Sequence, residues 1–123
     1  MKREIIEDLI KWKKSKNRKP LIIHGARQVG KTYIIKEFGK KYYKNLIYVN
    51  FQTNTEISSQ IEDSIDAKYI INKLELFYGE KIMPEETLIF FDEIQDNERA
   101  LTSLKYFCED ANEYHIIAAG SLL

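Results

Sequence analysis

Apolar residues fall along this chain in two alternating rhythms. Ile5, Ile6, Leu9, Ile10 and Trp12 recur at helical intervals among charged positions, which predicts an amphipathic helix over residues 3–14 with that stripe inward. Four short runs are continuously apolar or rich in β-formers: Leu21-Ile22-Ile23-His24, Leu46-Ile47-Tyr48-Val49-Asn50-Phe51, Leu88-Ile89-Phe90-Phe91 and His115-Ile116-Ile117-Ala118-Ala119. Runs of this length and composition predict strands, buried where no polar position interrupts them. Helical patterns lie between them. One runs through Tyr33, Ile34 and Ile35 to about Phe38, with Gly39 as its expected stop. A second covers residues 56–78 in one or two pieces, with Ile57, Ile61, Ile65, Tyr69, Ile70, Leu74, Phe77 and Tyr78 on its apolar side and Gly79 at its end. A third covers 98–109, capped by Asn97 and burying Leu101, Leu104, Phe107 and Cys108. Pro20 leads into the first strand, and Pro84 marks a loop.

Strands that alternate with helices predict one α/β domain over residues 1–123, a three-layer α/β/α sandwich with a mostly parallel sheet. Ligands of such sheets bind at the carboxyl ends of the strands. The chemistry of the sequence gathers at those ends. Directly after the first strand stands Gly25-Ala26-Arg27-Gln28-Val29-Gly30-Lys31-Thr32, the pattern G-x-x-x-x-G-K-[ST] of a phosphate-binding loop. Binding a nucleoside triphosphate requires donors that converge from a concave backbone, and the two glycines allow the tight turn. The segment from Gly25 to Tyr33 is therefore the expected nucleotide contact. Lys31 reaches the β- and γ-phosphates, the Thr32 hydroxyl ligates Mg²⁺, and the helix that starts here aims its positive end at the same anions. Arg27 and Gln28 are either solvent-facing loop residues or, for Arg27, a γ-phosphate contact.

About sixty residues later the third strand ends in Asp92-Glu93. An acid at the rim of the sheet suits Mg²⁺, so Asp92 reads as the Walker B residue that holds the metal with Thr32 through water. Glu93 reads as the base that polarises the attacking water. The fourth strand leads into Gly120-Ser121. Ser121 is either a contact to the γ-phosphate or its water, the place of sensor 1, or simply a turn residue. Gln95 is a relay to a partner or a helix-entry residue. His24 and His115 flank apolar strands and read as structural, and no Cys/His spacing suggests zinc.

The string Gly-Ala-Arg-Gln-Val-Gly-Lys-Thr at 25–32, Phe-Phe-Asp-Glu-Ile-Gln at 90–95 and the ending Ala-Ala-Gly-Ser-Leu-Leu together resemble the AAA-like branch of the P-loop NTPases with a catalytic glutamate. Within it they are similar to a prokaryotic family of ATP-binding proteins that join this domain to a C-terminal region of uncertain role. The resemblance covers nearly the whole chain. It implies ATP and Mg²⁺ as ligands, ATP hydrolysis as the reaction, and a sheet in which the phosphate-loop strand lies between the fourth strand and a fifth. The chain stops at Leu123, before that fifth strand, the lid and any sensor 2 arginine. It is therefore expected to be an N-terminal piece, truncated after the fourth core strand, with an exposed apolar edge at 21–24 and poor turnover alone. Sites of this kind take an arginine from a neighbouring subunit. Among Arg3, Arg18, Arg27 and Arg99 only Arg99 is a candidate, so a homo-oligomer is an expected partner.

Bulk composition changes this picture at one point. Of 123 residues 44% are hydrophobic and 31% charged, as in an ordinary globular protein. No apolar run approaches a membrane span, the N-terminus lacks a signal-peptide stretch, and the single Cys108 excludes an internal disulfide, so the cytoplasm is the expected compartment. Net charge is zero, yet residues 1–45 carry fourteen Lys/Arg against four Asp/Glu and the remainder five against fifteen. The densest cluster, 11–19, reads first as the solvated basic end of a helix and alternatively as a nucleic-acid contact. A nucleotide-gated binding module with little hydrolysis is thus the rival to an ATPase. A small-molecule kinase is disfavoured by the acid that follows Asp92.

Overall fold

The computed structural model describes residues 2–25 and 30–121. The elements are α1 (Lys2–Lys14), β1 (Leu21–His24), α2 (Lys31–Tyr42), β2 (Asn45–Asn50), α3 (Thr55–Ile61), α4 (Ala67–Tyr78), β3 (Thr87–Asp92), a 3₁₀ turn at Ile94–Asp96, α5 (Glu98–Asp110) and β4 (His115–Gly120). The four strands form one sheet in the order β1-β4-β3-β2. Every pairing is parallel, with Leu21 opposite Ile117, Leu88 opposite His115, and Asn50 opposite Asp92. The chain is an α/β protein, and β1 lies beside β4 as expected. Among the described residues no further strand flanks β1.

Alternation along the strands divides the core into two layers. Ile47, Val49, Ile89, Phe91, Ile116 and Ala118 face α3, α4 and α5. Leu88, Phe90, Ile117 and Ala119 face α1 and α2, where they meet Leu9, Ile35 and Phe38. β3 and β4 are buried at every position, which is why their sequence runs are unbroken. β1 is half-buried on one side and exposed on the other. Leu21 and Ile23 join the α1/α2 layer, whereas Ile22 is 41% exposed.

Packing also revises several expectations. Gly39 does not stop α2. It sits inside the helix, where a Cβ would come within 2.9 Å of Leu46 Cδ1 and 3.0 Å of Leu88 Cδ2, so the glycine allows the helix to lie against the sheet. The 56–78 pattern is two helices. Ser64 Oγ accepts from the Asp66 N–H at 3.0 Å and Asp66 caps α4 by accepting from Tyr69 N–H, so local side-chain bonds replace helix between them. Ile65 falls in that break, half-buried, and Phe77 is 37% exposed rather than inward. Gly79 ends α4 as expected. Asn97 is the cap of α5, accepting from Ala100 N–H at 3.0 Å while its amide donates to Ser58 on α3. On α5 the fully buried positions are Ala100, Ser103, Leu104 and Phe107. Leu101 and Cys108 are only partly covered.

Candidate functional site

The site is built at the carboxyl rim, where β1, β3 and β4 end side by side. β1 runs into Gly25, whose N–H donates to the Gly120 carbonyl at 3.1 Å and so stitches the loop entry to β4. Gly25 has φ 66° and Gly30 has φ 92°, and an added Cβ would meet nothing within 4 Å at either. Backbone conformation rather than crowding demands glycine at both. Gly30 is the N-cap of α2, with no side chain capping the helix and no acid in its first turn. The N–H groups of that turn are thus directed to the rim, and among the described residues no side chain caps them. Lys31 and Thr32 occupy the turn. Lys31 borders a cleft of about 260 Å³ shared with Asp8, Trp12 and Ile23. Tyr33 is 61% exposed beside them. Ala26, Arg27, Gln28 and Val29 lie outside the described residues.

Thr32 and Asp92, sixty residues apart, meet here: the threonine hydroxyl donates to Asp92 Oδ2 at 3.2 Å. Asp92 is 5% exposed, and its other oxygen accepts from the Glu93 N–H at 3.0 Å. A second donor, the Tyr48 hydroxyl on β2, reaches the same Oδ2 at 2.7 Å. Burial and the bond to Asp92 hold the Tyr48 phenol pKa well above its usual value. A hydroxyl and a carboxylate oxygen on converging elements are the hard donor set that suits Mg²⁺, an ion that keeps most of its waters and takes few protein ligands. Among the described residues, no group of three or more His, Cys, Asp or Glu side chains converges to hold a metal.

Glu93 follows at φ 51°, ψ 46°, a left-handed conformation rare for a side chain of this size. Its Oε1 accepts from the Ser121 N–H and Ser121 hydroxyl, each at 3.1 Å, and from Gln95 Nε2 at 3.2 Å. The two carboxylates, Thr32, Ser121 and Gln95 are therefore gathered at one rim. The comparison with protein families matches residues 17–123 to the AAA domain. This chain belongs to the AAA domain family. The comparison with curated proteins gave no match. Membership makes this AAA domain a P-loop nucleotide-binding protein.

Sequence patterns had singled out most of the residues that meet at the rim of the AAA domain, but not Tyr48. An aromatic residue within a strand is ordinarily core. The available signal was alternation: Leu46, Tyr48 and Asn50 share one face of β2, and polarity rises along it toward the rim. Of the other residues weighed from sequence, His24 closes β1 at the rim, opposite Gly120. His115 is buried at the opposite end of β4, where its Nδ1 meets the Tyr43 hydroxyl at 2.6 Å and its ring packs edge-on to Trp12. Burial first, then Arg18 and Lys13, lowers its pKa to about 4. His24 is exposed on β1. Part of the basic cluster is folded back on the domain. Lys13 donates to the Tyr42 carbonyl and Arg18 to the Asn112 carbonyl, while Lys11, Lys14, Lys16 and Lys19 are exposed. Arg99 is exposed at the start of α5 among Glu62, Asp96 and Glu98. Among the described residues no helix is long and apolar enough to cross a membrane.

Proposed function

We propose that this AAA domain binds ATP with Mg²⁺ and hydrolyses it to ADP and phosphate. The observation that carries the reading is the contact between Thr32 Oγ1 and Asp92 Oδ2 at 3.2 Å, directly beside an uncapped helix N-terminus entered through two left-handed glycines. In this reading the first turn of α2 and Lys31 bind the phosphates. Thr32 and Asp92 would hold Mg²⁺, which would supply positive charge against the phosphate oxygens. Water attacks the γ-phosphorus in line, its oxygen forms the new P–O bond, the bond to the ADP oxygen breaks, and Glu93 takes the proton. Lys31 offsets the charge that develops on the transferred group. Ser121 acts as the residue that fixes Glu93, and Arg99, exposed at the start of α5, serves a neighbouring copy in this reading. Calorimetry tests the core of the proposal: Lys31→Ala should weaken ATP binding at least tenfold, about 1.4 kcal/mol. Unchanged affinity in a folded variant would overturn it.

A second reading, nucleotide-gated binding with little turnover, draws on the Glu93 carboxylate. It accepts from Ser121 twice and from Gln95, an arrangement that occupies the proposed base. In that reading the exposed lysines of 11–19 contact nucleic acid. Slow phosphate release together with a steep salt dependence of DNA affinity would favour it.

A further inference from the structure

We infer that Tyr48 is a positioning residue of the metal site, holding the Asp92 carboxylate in the orientation that receives Mg²⁺. The inference rests on the proposed role of Asp92. It starts from a geometric need. Rotation of a carboxylate about its last bond is broad, so a single hydrogen bond leaves the oxygens poorly aimed. Asp92 Oδ1 accepts from the adjacent Glu93 N–H at 3.0 Å, and Oδ2 accepts from two further sides, from Thr32 on α2 at 3.2 Å and from Tyr48 on β2 at 2.7 Å. Two donors on different elements fix both the plane and the reach of the carboxylate.

The tyrosine is itself held at both ends. Its carbonyl accepts from the Tyr78 hydroxyl at 2.9 Å, and its ring packs on Phe90 with centroids 5.2 Å apart. Lys36, one turn beyond Thr32 on the same face of α2, puts its ammonium 3.8 Å from the ring centroid. Thr32, Asp92, Tyr48 and Lys36 thus close a loop of contacts that joins the phosphate-loop helix to β2 and β3. A phenylalanine would meet the packing requirement equally well, so packing alone does not call for the hydroxyl. Partners that orient a metal ligand typically change metal affinity 10–100-fold when removed.

The test measures ATP affinity by calorimetry on the whole chain, once with Mg²⁺ and once with EDTA. Tyr48→Phe should lose about tenfold of the gain that Mg²⁺ confers, leave affinity in EDTA unchanged, and melt within a few degrees of the parent. An undiminished Mg²⁺ gain, or an equal loss with and without the metal, would overturn the inference. Asp92→Asn separates the two readings. If it keeps the Mg²⁺ gain, the metal role of Asp92 fails and this inference with it. If it loses the gain while Tyr48→Phe retains it, only the role of Tyr48 fails. Lys36→Met keeps the hydroxyl and removes the cation over the ring. It should reduce the Mg²⁺ gain by about two- to fivefold. No reduction would overturn the inference even if Tyr48→Phe did not fold.

Discussion

Glu93 combines an unusual backbone with a crowded carboxylate. At φ 51° it occupies a conformation that costs an ordinary residue about 1 kcal/mol or more. The strain is held in place by the sheet before it and the 3₁₀ turn after it, and the result is a carboxylate aimed at Ser121 across the ends of β3 and β4. Glu93→Gln preserves shape and hydrogen-bond reach while removing the basic oxygen. In the proposed reaction it should leave ATP affinity intact and lower phosphate release at least about a hundredfold, the lower range for a general base. Steady-state phosphate release alongside calorimetry checks both halves. Normal turnover in this variant would remove Glu93 from the chemistry.

Among the elements, β4 links the two ends of the sheet, with His115 at its start and Ser121 just past its finish. The neutral imidazole pairs through Nδ1 with the Tyr43 hydroxyl within a shell that includes Trp12, Lys13 and Arg18. Its pKa is about 4 when folded, against an unperturbed value of about 6.5. Above the higher value neither state is protonated. Between the two, the unfolded chain takes a proton that the folded chain refuses, so stability falls as pH drops. Thermal melts should therefore show a loss of about 1–2 kcal/mol between pH 7 and pH 5. His115→Gln, which keeps an acceptor for Tyr43, should flatten that slope, and an unaltered slope would exclude His115 as its source. The strands themselves were legible in the sequence because each apolar run is short and bounded. All four match the structure to within one residue at either end, and β3 gains its polar end residue Asp92. Gly39 was not legible. A glycine after an apolar run reads as a stop, and only the approach of Leu46 and Leu88 from other elements reveals its use. Likewise Asp92, Lys31 and Thr32 announce themselves by motif, but the bond between Glu93 and Ser121 depends on the neighbour order of β3 and β4. Tyr48 joins the site through a register set by partners that local pattern does not encode.

At the scale of the whole molecule the two borders of the sheet differ. The β2 border is occupied by side chains: the Tyr78 hydroxyl bonds the Tyr48 carbonyl at 2.9 Å, and Asn54 Oδ1 accepts from the Asn50 N–H at 2.9 Å. The β1 border has no strand beside it among the described residues, and Ile22 adds exposed apolar surface there. Unpaired strand edges template association. The isolated chain should self-associate through β1, and Ile22→Lys should weaken that association, as sedimentation would measure. The asymmetry also sets where such growth ends. Two copies that join β1 to β1 about a twofold axis use up both open borders and turn only their occupied β2 borders outward. An isologous pairing of this kind is closed, so sedimentation should resolve a discrete dimer, whereas a ladder of larger species would mean that the β2 border accepts strands as well.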